Sequence, residues 1–129
     1  MLVAKDLMSP DPIIVQTNAD PSAILDVFLT KRVTALPVAK QSSEIIGMIS
    51  EMNLVKIMVQ HAVDGGGKKL GNYENHFEPA TFVDEDDSLG NVVKALISSP
   101  THRVLVWNKL EKIVGIVSPK DLLKVLAKT

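Results

Sequence analysis

The chain has 129 residues, 46% hydrophobic and 22% charged, with a net charge of −1 and no cysteine. That balance fits one soluble domain, or two small halves sharing a core. It excludes disulfides, thiolate zinc sites and a general nucleic-acid surface, and no apolar run approaches the ~20 residues that span a bilayer.

In chain order, Met1-Leu2-Val3-Ala4-Lys5-Asp6 lacks the apolar stretch of a signal peptide, so an intracellular, cytoplasmic location is the expectation. Val3 to Met8 reads as a helical turn closed by Ser9-Pro10-Asp11-Pro12, and Ile13-Ile14-Val15 as a short strand. Asp20-Pro21 is a cap followed by proline, opening a helix to about Lys31 with apolar Ile24, Leu25, Val27, Phe28 and Leu29. Strands follow over Ala35–Ala39 and Ile45–Ile49, joined by the polar run Lys40 to Glu44. Ser50 then caps a helix carrying Leu54, Val55, Ile57, Met58 and Val59.

A shift of 68 positions lays the chain on itself. Gly47 falls on Gly115, Ser50 on Ser118, Asn53 on Asp121, Val38 on Val106 and Val15 on Val83. Asp20 meets Ser88, a second cap, and the apolar helix set meets Val92, Val93, Ala95, Leu96 and Ile97. Agreement over roughly forty ungapped positions marks an internal duplication. The predicted domains are a first repeat over 1–62, a flexible connector over 63–77 and a second repeat over 78–129. The connector holds Gly65-Gly66-Gly67, which no Gly-Lys-Ser/Thr follows, so a phosphate-binding loop is the weaker reading.

Each repeat is predicted to be a small β-α-β-β-α unit of α+β (α/β-type) class, too small to bury a good core alone. The two are therefore expected to pack sheet to sheet about a pseudo-two-fold axis, with a cleft between them.

The phrase Gly115-Ile116-Val117-Ser118-Pro119-Lys120-Asp121-Leu122-Leu123 carries the chemistry. Ser118 caps a helix, Pro119 fits its first position, and Asp121 stands where the reciprocal member of a capping box stands. The same turn presents free N–H groups and a positive dipole end to an anion. Helix start and ligand cradle are both open readings of it. His102 could be a satisfied strand-end residue, Arg103 the partner of a surface carboxylate, and Trp107 core or interface packing. His61 and His76 lack metal-ligand spacing, so no metal is expected.

The doubled Gly-hydrophobic-hydrophobic-Ser turn, Leu36-Pro37-Val38 and His102-Arg103-Val104-Leu105-Val106 resemble a tandem pair of cystathionine-β-synthase (CBS) domains, a Bateman module. The resemblance runs from about Lys5 to Leu126 and is especially similar to the γ subunits of AMP-activated protein kinase. It implies a non-catalytic regulatory module that binds AMP, ADP, ATP or S-adenosylmethionine. It implies that Asp121 bonds the ribose hydroxyls, that Ser118, Lys120, His102 and Arg103 lie near the phosphates, and that Ala80, Thr81 and Val104 hold the adenine. A carboxylate accepts from two hydroxyls, whereas phosphate needs cationic and N–H donors, so these roles agree with the chemistry.

In the first copy the corresponding half-site is Ile13, Thr34, Ala35, Leu36, Ser50 and Asn53. Asn53 replaces the aspartate and Ala35 the arginine, so this half-site is expected to be weaker, empty, or chosen for a less anionic ligand. The family implies a homodimer through helices, with apolar Leu54, Ile57, Met58 and Leu122, Val125, Leu126 as the stripe. No membrane or nucleic-acid partner is expected. The rival function is a ligand-free structural or dimerisation module of a larger protein. An enzyme ranks third, because no nucleophile or carboxylate pair is identifiable.

Overall fold

A computed structural model describes residues 1–128. In chain order its elements are α1 (Ala4–Leu7), β1 (Ser9–Pro10), β2 (Val15–Gln16), α2 (Pro21–Lys31), β3 (Ala35–Ala39), β4 (Ile45–Ser50) and α3 (Glu51–Val63). A 3-10 helix (Leu70–His76) follows, then β5 (Phe82–Asp84), α4 (Leu89–Ser98), β6 (Val104–Trp107), β7 (Ile113–Val117) and α5 (Pro119–Leu126). Contacts group these into two units, one of residues 13–79 and one of residues 1–12 with 80–129.

In the 13–79 unit, β3 lies between β2, which runs parallel to it, and β4, which runs antiparallel. Asp20 starts α2 by accepting the Ser22 N–H at 2.8 Å, and Pro21 takes the first position, where its missing N–H costs nothing. Pro37 is tolerated inside β3 for a similar reason. It lies opposite Met48, whose N–H and C=O both bond Glu78, while β2 pairs with Val38 and Ala39 instead. Apolar side chains from these strands and helices close one core, including Ile24, Phe28, Leu36, Ile49 and Ile57.

In the other unit the order is β1-β7-β6-β5, with β5 parallel to β6 and the other pairs antiparallel. Its core joins Val83, Val92, Leu96, Val104, Val106 and Val117 to Ala4 and Leu7 of α1. The packing units therefore do not follow the repeat boundaries. Residues 1–12, read as the start of the first repeat, lie on the sheet of the second. A Cβ on Gly115 would collide with the Met8 side chain, so the glycine is what lets β1 lie flat on β7. The matching segment does the reverse: Phe77 and Glu78 lie over Gly47 of β4.

One further expectation needs correction. Ile13 and Ile14 precede the strand and are 37% and 38% exposed; β-branching made them look like strand, but no sheet partner reaches them among the described residues. The segment over 63–77, expected to be a connector, holds a glycine turn and a short helix. Gly65, Gly66 and Gly67 all hold positive φ, which L-residues avoid, so they make a turn. Beyond them Leu70 and Tyr73 are buried in the 3-10 helix, at 0% and 2% exposure. Among the described residues, no helix is long and apolar enough to cross a membrane.

Candidate functional site

Strand directions gather the predicted residues at one end of each sheet. In the unit of residues 1–12 and 80–129, β5 and β6 begin where β7 ends, because β7 is antiparallel to both. That edge therefore collects Ala80 and Thr81, then His102, Arg103 and Val104, then Ser118 and the first turn of α5. Val104 pairs with Val117, and the Thr81 carbonyl accepts the Leu105 N–H at 2.8 Å.

Asp121 is 9% exposed and held by three donors. Its Oδ2 accepts the Ser118 N–H at 2.8 Å and the Ser118 Oγ at 3.1 Å. Its Oδ1 accepts the Ser9 Oγ at 2.9 Å. The expected capping box is half formed: the carboxylate reaches back to Ser118, while the Asp121 N–H goes to the Ser118 carbonyl at 3.1 Å. Each carboxylate oxygen has two lone pairs, so Oδ1 has capacity for a further hydroxyl. Ser9 is a residue that sequence reasoning missed. It lies 112 positions from Asp121 in the chain, and no local pattern joins them.

The His102–Arg103 turn is built by Ser99, which is 2% exposed. Its Oγ donates to the Arg103 carbonyl at 2.8 Å and accepts the Arg103 N–H at 3.3 Å. His102 takes a positive φ of 52° and is exposed. Its Nδ1 lies 3.3 Å from the Leu96 carbonyl, which can only accept, so Nδ1 carries the proton. Arg103 folds over the turn, its Nη1 donating to the carbonyls of His102 at 2.9 Å and Thr101 at 3.3 Å. Lys120 stands exposed on the first turn of α5. Three cationic or potentially cationic groups thus share this sheet edge with one buried carboxylate. Trp107 is not core. It stacks on Phe82, ring centres 4.4 Å apart, and donates to Asp84 at 3.0 Å.

In the 13–79 unit the same edge holds Thr34, Ala35 and Leu36 at the start of β3 and Ser50 at the end of β4, with Ala35 opposite Ser50 and Leu36 opposite Ile49. Ile13 lies two residues ahead of β2 and is exposed. Asn53, 6% exposed, accepts the Ser50 N–H at 2.8 Å and the Ser50 Oγ at 2.7 Å. Its own N–H goes to the Ser50 Oγ at 3.3 Å, completing a reciprocal box. Its Nδ2 donates to Glu78 Oε1 at 3.3 Å. Glu78 is the second residue that sequence reasoning missed.

The dimer stripe also needs revision. Leu54 and Ile57 are 4% and 0% exposed and belong to the core of their own unit. Leu122 and Val125 are half-buried against the other core. The helix faces that remain open carry Leu29, Val55, Val59 and Val63 in one unit and Ile97, Leu123 and Leu126 in the other. Among the described residues, no three His, Asp or Glu side chains gather to hold a metal ion.

Two repeats of one topology, each with a serine at the turn from its last strand into its last helix, define a tandem CBS pair. The chain belongs to the CBS domain family, which it matches over residues 4–60 and again over 76–128. It is similar to the γ-3 subunit of 5′-AMP-activated protein kinase from Sus scrofa, 26% identical over 106 residues, 79% of this chain and 21% of that protein. The chain thus spans about a fifth of that relative's length. Its fold resembles CBSX2 from Arabidopsis thaliana, with a TM-score of 0.81, 19% identity and coverage of 98% of this chain and 94% of that one. CBSX2 in complex with AMP gives a TM-score of 0.79 at 19% identity, covering 99% and 98%. The CBS domain pair of protein MJ0100, in complex with 5′-methylthioadenosine and S-adenosyl-L-methionine, gives the same score, identity and coverages. At these identities the likeness to solved structures is one of fold.

Proposed function

We propose that the chain is a non-catalytic regulatory module that binds an adenosine nucleotide of the AMP class at the second repeat's half-site. The observation that carries this is the buried Asp121 carboxylate, oriented by Ser118 and Ser9 at the same sheet edge as Arg103. A vicinal diol supplies two donors and matches carboxylate lone pairs. The phosphate falls to the cations Arg103 and Lys120, to the His102 ring and to the N-terminal end of α5. Placed against phosphate instead, Asp121 would be repelled, so the arrangement gives the ligand one polarity. Half-buried Ala80 and Thr81 offer the wall for the base, while Val104 lies behind them in the core at 0% exposure. Support also comes from the relatives: one is a subunit of an AMP-activated kinase, and CBS pairs of like fold hold AMP, 5′-methylthioadenosine or S-adenosyl-L-methionine.

A thermal-shift panel of AMP, ADP, ATP, NAD and S-adenosylmethionine tests the reading. It expects stabilisation by at least one of the adenosine phosphates, since a ligand that binds the native state alone raises its stability. No shift with any of the five at millimolar concentration would favour the rival reading, a structural module that holds no ligand. The open faces of α2, α3, α4 and α5 fit the further reading that two copies of the chain associate through helices.

A further inference from the structure

The contact between Asn53 and Glu78 repeats the contact between Asp121 and Ser9, with the acid moved to the opposite partner. Ser9 stands across from Ile116 in the β1–β7 ladder. Glu78 bridges Met48, 68 positions before Ile116, through two backbone bonds of 2.8 Å. The residue ahead of each lies over a glycine, Met8 over Gly115 and Phe77 over Gly47. Ser9 and Glu78 are therefore equivalent positions, at an offset of 69 rather than 68. On one side a hydroxyl donates to a helix carboxylate at 2.9 Å; on the other a helix amide donates to a segment carboxylate at 3.3 Å.

The amide is fixed the way this requires. The Ser50 N–H can only donate, so the atom 2.8 Å away is the Asn53 oxygen and the NH₂ faces Glu78. That oxygen already accepts from both the Ser50 N–H and its hydroxyl. A ligand bringing two hydroxyl donors would find its acceptor in Glu78, not in Asn53. The two cations matched at an offset of 68 do not follow the acid across. Where the other unit has Arg103 and Lys120, this one has Ala35 and Met52, and Ala35 is 8% exposed.

We infer that Glu78 is the diol-binding carboxylate of the first half-site, and that this half-site takes adenosine derivatives whose 5′ substituent is uncharged or positive. A 5′-phosphate there would face a carboxylate without the compensating arginine and lysine. The inference deepens the adenosyl reading proposed above and rests on it.

The test is calorimetric titration of the full chain carrying Asp121→Ala, which silences the second half-site. Adenosine and S-adenosylmethionine should each bind at one site per chain, with AMP at least about tenfold weaker, the size of one charge-assisted interaction. Adding Glu78→Gln should weaken adenosine about tenfold or more, because the amide keeps an oxygen for Asn53 but loses the charge. The exchange Asn53→Asp with Glu78→Ser, which copies the other unit's pairing, should restore adenosine binding. It also serves if Glu78→Gln melts early. The inference is overturned if Glu78→Gln leaves adenosine unchanged, if AMP binds as tightly as adenosine, or if Asp121→Ala takes up no adenosine. A native chain that binds neither AMP nor adenosine would instead overturn the adenosyl reading itself.

Discussion

Asp121 orders the Ser118 turn, and in the proposed function it also binds the ligand; the two roles can be separated by choice of substitution. Asp121→Ala strips an acceptor from the Ser118 N–H and from the hydroxyls of Ser118 and Ser9, which should cost about 1–3 kcal/mol whether or not a ligand exists. Melting of the ligand-free variant must be recorded before any binding loss is read. Asp121→Asn is the finer probe. Asn53 already shows that an amide fits this turn, taking the same two serine donors at 2.8 and 2.7 Å. The variant should therefore melt close to the native protein yet bind nucleotide more weakly. Binding at native strength would move the recognition to Arg103 and His102. Arg103→Ala should weaken AMP by about 1.5–3 kcal/mol and adenosine much less, since a charged hydrogen bond to phosphate is lost. Equal losses would mean that Arg103 serves the turn alone, where its Nη1 meets two carbonyls.

At the scale of elements, the leading segments depend on glycines. A Cβ on Gly47 would meet the Glu78 carbonyl and the Phe77 Cβ at 3.0 Å each, and neither is a flexible chain end. Gly47→Ala should destabilise by about 1–3 kcal/mol and lower the urea midpoint. The turn after α3 has its own lock. Asp64 accepts from Gln60 at 3.0 Å and from the buried Tyr73 hydroxyl at 2.9 Å, and Lys68 lies 3.7 Å away. The Gln60 and Tyr73 bonds hold the Asp64 carboxyl below its usual range against the opposing effect of desolvation. A depressed carboxyl gives stability that is present above the unfolded value, about pH 4, and lost as pH falls through the folded one. Desolvation and then Asp64 raise the Tyr73 hydroxyl above its usual value, so its contribution holds below about pH 10 and fades above the folded value. Melting between pH 2 and 5 should show a smaller loss in Asp64→Asn than in the native chain. Parallel curves would place the acid sensitivity elsewhere.

This lock was not legible in the sequence, because a 3-10 helix of seven residues carries no 3.6-residue apolar rhythm and three glycines drew attention to themselves. The helix starts were legible, since Asp20-Pro21 and Ser118-Pro119 mark them within two residues. So was the sheet edge, because matched columns at one offset align all the turns. Ser9 and Glu78 stayed hidden because their segments match at an offset one residue different, and each bonds a side chain far along the chain. Leu54 and Ile57 misled in another way: an apolar stripe shows that a face is covered, not what covers it.

For the molecule as a whole, exposed Leu29, Val55, Val59 and Val63, with Ile97, Leu123 and Leu126, offer apolar area for self-association. Sedimentation at tens of micromolar should show a dimer, and Val59→Glu should shift it to monomer without changing the melt, because Val59 is 63% exposed. Monomer throughout, with and without nucleotide, would oppose the homodimer. The central claim is that the two half-sites are chemically unequal and that AMP enters the one with Asp121. Titrating the native chain and Asp121→Ala with AMP by calorimetry tests it most directly. The expected result is about one strong site per chain, lost in Asp121→Ala and kept in Asn53→Ala. Two equal AMP sites, or an Asn53→Ala chain as impaired as Asp121→Ala, would contradict it.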